Sequence, residues 1–256
     1  MQRHSFESEG LTLSYLDAGG DAPVLLALHA HWMEAQTYAP LAQALAPDWR
    51  VVALDQRGHG DSEHTQAHAR VHYERDVLAL MARLEVQSAV LLGNSFGATV
   101  AYWLASTQPS RVRGMIIEDM GVVYHGDGEP WVLEWQGTFK TRADLEARIG
   151  ARYVPYLRDS FRERGHGWRL AFDPREHMKS SLACNGDHWH DWLASTCPAL
   201  VLKGADSKLT TEEELRAMAS KRPNTRYESL PGGHVPHMDC PVDFTRAVQA
   251  FLRTLK

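Results

Sequence analysis

Five continuous apolar runs recur along the chain: VLLALH from Val24, VVALD from Val51, AVLLGN from Ala89, GMIIED from Gly114 and ALVLKG from Ala199. Runs without polar alternation are expected of strands buried on both faces of a parallel sheet. Between them, apolar residues recur at spacings of three and four, as in Tyr73, Val77, Leu80, Met81 and Leu84, or Phe244, Val248, Phe251, Leu252 and Leu255. That period predicts helices with one buried face. Alternating strand and helix predicts an α/β fold: a doubly wound, mostly parallel sheet with helices on both faces. The segments around Phe6 and from Leu11 to Tyr15 are expected to add antiparallel strands at one edge.

One stretch breaks the rhythm. From about Val122 to Thr196 there is no buried-strand run, yet Trp131, Trp135, Phe139, Tyr153, Tyr156, Trp168, Trp189 and Trp192 all fall within it. An insertion of this length must carry its own structure. The expected organisation is therefore a core of residues 1–121 and 197–256, with residues 122–196 as a mainly helical cap. Most of the cap aromatics are expected to form its small core, and some could line an acyl pocket.

Composition narrows the class. An apolar share of 44% and a charged share of 23% are those of an ordinary globular chain, not of a disordered or fibrous one. The formal charge of −5 is spread out, and no basic run is dense enough to hold a phosphate backbone, so nucleic acid is not an expected partner. The N-terminus, MQRHSFESEG, has no apolar h-region, and no stretch approaches the ~20 apolar residues of a membrane span. A cytoplasmic protein without a membrane partner, monomeric or homodimeric, is the expectation. Cys184, Cys197 and Cys240 are odd in number and form no Cys-x-x-Cys pair, so free thiols are expected.

The chemistry begins at Gly93-Asn94-Ser95-Phe96-Gly97. AVLLGN runs into this segment and ATVAYWLAS leaves it as a predicted helix, which is the setting a Gly-x-Ser-x-Gly nucleophile elbow requires. Small residues two before and two after the serine let strand and helix pass closely, and the strained turn lifts the hydroxyl above the sheet edge. A serine hydroxyl needs an imidazole to take its proton.

The elbow, the segment Asp55-Gln56-Arg57-Gly58-His59-Gly60-Asp61-Ser62 and a late Gly-His together resemble the α/β-hydrolase superfamily, over a region from about Val24 to the C-terminus. The resemblance implies Ser95 as nucleophile and, in the glycine-rich loop Leu230-Pro231-Gly232-Gly233-His234, His234 as base. His237 lacks the preceding glycines. It further implies an oxyanion hole built from the backbone N–H groups of Phe96 and His31. The usual His-Gly of that loop is here His29-Ala30-His31, which would restrict the backbone at Ala30.

Two aspartates satisfy the chain order Ser, acid, His. The position three residues after the glycine ending the later strand, usual for the acid in this superfamily, is Ser207, and Asp206 falls one residue short. A smaller branch of bacterial esterases has Gly-x-Asn-Ser there and draws its acid from the earlier strand end. Gly204-Ala205-Asp206-Ser207 and Ile116-Ile117-Glu118-Asp119 are similar to that branch. Asp119 is therefore favoured, with Asp206 and then Glu118 as alternatives.

His64, His68 and His72 recur at helical spacing, but no carboxylate or cysteine completes a metal shell, so a solvated helix face is expected. The reading is a cofactor-free and metal-free serine esterase or lactonase acting on a small acyl substrate. A carbon–carbon bond hydrolase of ring-cleavage products and a non-catalytic binding module on the same fold stand as alternatives.

Overall fold

The computed structural model describes residues 1–255. Chain order runs β1 (Gln2–Ser8), β2 (Leu11–Asp17), β3 (Val24–Leu28), α1 (Ala39–Leu45), β4 (Arg50–Leu54), α2 (Arg70–Arg83), β5 (Ala89–Asn94), α3 (Phe96–Thr107) and β6 (Val112–Glu118). Then come β7 (Val123–Tyr124), α4 (Arg142–Ile149), β8 (Phe161–Arg164), β9 (Gly167–Leu170), α5 (Pro174–Ala183), β10 (Gly186–Asp187) and α6 (Trp189–Ala194). The chain closes with β11 (Ala199–Gly204), α7 (Glu212–Lys221), β12 (Thr225–Leu230), α8 (Pro236–Asp239) and α9 (Pro241–Leu252).

Among the described residues, eight strands form one sheet in the order β1-β2-β4-β3-β5-β6-β11-β12. β1 and β2 are antiparallel to their neighbours, and the pairs from β4 to β12 are parallel. This is the expected α/β-hydrolase fold. Successive residues of one strand serve opposite faces. Leu26, Leu28, Val52, Leu54 and Leu91 pack with Val77, Leu80 and Met81 of α2 and with α3. Leu25, Ala27, Val51, Ala53 and Val90 pack with Leu41 and Leu45 of α1 and with Phe244, Val248 and Phe251 of α9. α3 is buried on every side from Phe96 to Ala105, which is why its sequence shows no polar stripe.

The insertion has two characters. Val132, Trp135, Leu145, Ile149, Leu157, Phe161, Leu170 and Phe172 form a small core of their own, against which Trp32 packs from the sheet side. Besides its helices it carries the antiparallel hairpin β8–β9, absent from the sequence expectation because these strands are short and polar. Cys184 and Trp192, by contrast, belong to the main core, and the Trp192 indole N–H donates to the Met218 carbonyl at 3.0 Å. Among the described residues no helix is long and apolar enough to cross a membrane.

The cap is tied to the sheet by charge. Arg162 on β8 reaches the Glu34 carboxylate at 2.7 Å and Asp61 at 3.5 Å. Arg3 pairs with Asp61 at 3.1 Å and with Asp55. Burial pushes the Glu34 carboxyl up to about 7 from an ordinary 4.5, although Arg162 pulls the other way.

Two outcomes test this packing. Trp192→Ala is expected to lower urea-unfolding stability by ~3–5 kcal/mol, because it empties a fully buried site, whereas Trp131→Ala, 41% exposed on the cap, should cost about 1 kcal/mol. The folded state holds the Glu34 proton more tightly than the unfolded chain. The stability this contributes is fully present below pH 4.5 and is lost as pH rises toward about 7. Relative to wild type, Glu34→Gln should remove on the order of 2 kcal/mol of that pH dependence. Parallel stability profiles for the two proteins between about pH 4 and 8 would sink the assignment.

Candidate active site

Ser95 occupies the single residue between β5 and α3, with φ 51° and ψ −116°. A non-glycine residue in that region stores roughly 1–3 kcal/mol of strain and persists only where its surroundings hold it. Here the Ser95 N–H donates to the Glu118 carbonyl at 3.0 Å, and its carbonyl accepts from Ala98 at 2.9 Å. The elbow tolerates no bulk. A Cβ on Gly97 would lie 2.0 Å from the Leu28 carbonyl oxygen, and one on Gly93 would lie 2.3 Å from the Gly97 carbonyl. Ser95 thus stands at the positive end of α3.

His234 lies in the loop after β12, and its Nδ1 is 2.6 Å from Asp119 Oδ2. Asp119, directly after β6 with φ 49°, is fully buried. Its carboxylate also accepts from Ser207 Oγ at 2.5 Å, Thr210 Oγ1 at 2.9 Å and the Gly204 N–H at 3.1 Å. With Nδ1–H directed at Asp119, a neutral His234 carries its lone pair on Nε2. Asn94 binds this loop to the elbow, because its Nδ2 donates both to the His234 carbonyl at 3.0 Å and to the Glu118 carbonyl at 3.2 Å.

The three candidate carboxylates are separated by position. Asp119 meets His234. Asp206 is exposed in a turn whose N–H donates to the Gly232 carbonyl, and among the described residues no hydrogen bond joins it to His234. Glu118 is fully buried and takes His237 instead.

Phe96 opens α3, so its N–H has no intrahelical acceptor. The His31 ring stacks on the Phe96 ring, centroids 4.2 Å apart and planes at 7°, and its Nε2 is 2.8 Å from Ser180 Oγ on α5. Burial, reinforced by His177 and His59, holds the His31 imidazole well below its ordinary value, so it is neutral near pH 7. The backbone cost expected at Ala30 does not arise there, since the left-handed residue of this loop is Trp32, with φ 71°. His29 is structural. Its Nε2 accepts from the Gln56 N–H at 3.0 Å while its carbonyl accepts from Gln56 Nε2 at 2.7 Å, which pins the loop after β3 to the loop after β4.

Ser95, Phe96, His31 and His234 line one cavity of about 350 Å³. Trp131, Tyr153 and Tyr156 of the cap face it, whereas Trp135 sits in the cap core. Cys184 also borders it, and burial pushes its thiol far up, away from the reactive thiolate.

The reading of the three spaced histidines changes. His64, His68 and His72 do not share a helix face: only His72 lies on α2, while His68 is buried against Tyr73 and His64 pairs with Glu176. The sequence does not assign Asn94, Ser207 and Thr210 their part in holding the histidine loop and Asp119. Ser207 had a signal, as the serine of the Gly-x-Asn-Ser-like segment; the others are ordinary polar residues whose contacts lie far away in the chain. Among the described residues no group of three His, Cys, Asp or Glu side chains is arranged to hold a metal ion.

A family model described as the alpha/beta hydrolase family matches residues 24–248. The chain is 25% identical to 3-hydroxybutyrate-oligomer hydrolase of Cupriavidus necator, over 89% of this chain and 88% of that protein. It is 23% identical to 3-oxoadipate enol-lactonase 1 of Acinetobacter baylyi, over 97% of this chain and 96% of that one. Among solved structures, E-2-(acetamidomethylene)succinate hydrolase superposes with a TM-score of 0.88 at 22% identity, covering 98% of this chain and 99% of the other, a likeness of fold.

Proposed function

Because the chain belongs to the alpha/beta hydrolase family and is a hydrolase, we propose that it cleaves a small carboxylic ester or lactone through an acyl-enzyme on Ser95. The observation that carries this reading is the 2.6 Å contact of His234 Nδ1 with the buried Asp119, beside a cavity that His234 shares with the strained Ser95.

In this mechanism Asp119 keeps the proton of His234 on Nδ1 and stabilises the imidazolium that forms. Nε2 takes the proton of Ser95 as Oγ attacks the carbonyl carbon. The backbone N–H groups of Phe96 and His31 receive the developing oxyanion, and the His31–Phe96 stack holds the two donor residues in a fixed relation. His234 returns the proton to the departing alkoxide, which in a lactone stays tethered to the acyl group. It then deprotonates a water that releases the acid and restores Ser95. This chemistry needs no cofactor.

The substrate class rests on the cavity and on the relatives. About 350 Å³ lies at the small end of ligand sites, which suits a short acyl group, and the lining is mostly apolar and aromatic. Relatives named for hydrolysis of a hydroxybutyrate oligomer and of an enol-lactone support the ester and lactone classes.

A fluorophosphonate probe followed by intact mass should label the wild type once and leave Ser95→Ala unlabelled; equal labelling of both would remove Ser95 from the reaction. On p-nitrophenyl acetate, Asp119→Asn should lower kcat by ~10³–10⁴-fold, whereas Asp206→Asn should stay within about threefold. The reverse order would make Asp206 the acid. Longer p-nitrophenyl esters and a lactone panel then grade the acyl group.

A further inference from the structure

A second carboxylate–imidazole pair lies directly behind the first. Glu118, fully buried at the end of β6, accepts on Oε1 from the His237 backbone N–H at 2.8 Å and from His237 Nδ1 at 2.9 Å. The other ring nitrogen, Nε2, is 2.7 Å from Thr37 Oγ1. The rings of Tyr38 and Phe244, at 4.8 Å and 5.9 Å, enclose His237. None of these side chains lines the cavity that holds Ser95.

What the pair connects gives it a role. The backbone carbonyl of Glu118 receives the N–H of Ser95 and the amide of Asn94. The next residue, Asp119, grips His234, while the Glu118 side chain grips His237, three residues beyond His234. Thr37 lies in the helical turn that follows the loop bearing His31. Two adjacent buried carboxylates would repel each other unless each had its own partner, and each has an imidazole. The end of β6 thus holds the histidine loop at two points, one on each side of the turn.

We infer that Glu118 and His237, backed by Thr37, are positioning residues whose hydrogen bonds set where His234 stands relative to Ser95. This inference rests on the reading of Ser95 and His234 as nucleophile and base. A displacement of the base by about 1 Å is enough to cost ~100-fold in rate, so the lever is strong although no substrate touches it.

The test compares Glu118→Ala, Glu118→Gln and Thr37→Val, with kcat and KM for p-nitrophenyl acetate measured separately. Thermal unfolding and the low-field proton resonance of the His234 Nδ1–H are recorded on the same samples. Glu118→Ala should lower kcat by ~30-fold or more with KM within about threefold, and should shift or broaden that resonance. Glu118→Gln should keep kcat within about threefold, because its amide oxygen can still accept both His237 N–H groups. Thr37→Val, which removes only the outer contact, should lower kcat by ~3–10-fold and decides the matter if Glu118→Ala does not fold. A folded Glu118→Ala or Thr37→Val with wild-type kcat and an unmoved resonance would overturn the inference, and so would a Glu118→Gln as damaged as the alanine variant. If the wild type neither reacts with the fluorophosphonate probe nor turns over any ester, the failure belongs to the reading of Ser95. The resonance still reports on the bracket in that case.

Discussion

The Asp119 carboxylate is the contact on which the arrangement around the cavity depends. A carboxylate with no solvent exposure is tolerable only if its lone pairs are filled, and here four donors fill them. Three of the four come from the end of β11 and the residues that follow it, and the fourth is His234. The requirement therefore draws two loops, far apart in the chain, onto the end of one strand. Breaking any of these bonds leaves charge or polarity stranded in a dry interior, so the loops are coupled energetically as well as in space.

The elbow depends on the same strand end. Ser95 is held in a conformation that a non-glycine residue avoids, and the bond that holds it runs to the carbonyl of Glu118, next to Asp119. The loop bearing His31 is fixed from two other directions, by His29 against Gln56 and by the His31 ring against Phe96. The cap reaches these same loops. Ser180 touches His31, and the Tyr156 hydroxyl donates to Asp239, whose other carboxylate oxygen accepts the Gly233 N–H. The insertion that lines the cavity is thus hydrogen-bonded to the loops that bear His31 and His234.

Much of the fold was legible in the sequence. The five apolar runs become β3, β4, β5, β6 and β11, because a strand buried on both faces must be apolar throughout. The helical periods become α2 and α9. The hairpin β8–β9 was missed, since four-residue strands such as FRER and GWRL carry no usable period. The histidines His64 and His68 show the opposite error. Their spacing matched a helix, but α2 starts only at Arg70, and spacing alone does not say where a helix begins.

The sequence by itself determined the sheet, the elbow and the candidacy of Ser95, because these follow from forces acting over a few residues: strand and helix periods, and the need for small side chains where Gly93 and Gly97 pass the backbone. It narrowed the candidate acid to Asp119, Asp206 and Glu118, and favoured Asp119 only through the resemblance of its strand end and of Gly204-Ala205-Asp206-Ser207 to one branch of the superfamily. Only the tertiary structure decided that Asp119, 115 residues from His234 in the chain, meets its Nδ1, while Glu118 turns to His237 and Asp206 to the open edge of the cavity. The reason is geometric: a carboxylate reaches only about 3 Å, so a one-residue difference in position selects a different partner, and that direction is set by the packing of loops remote in sequence.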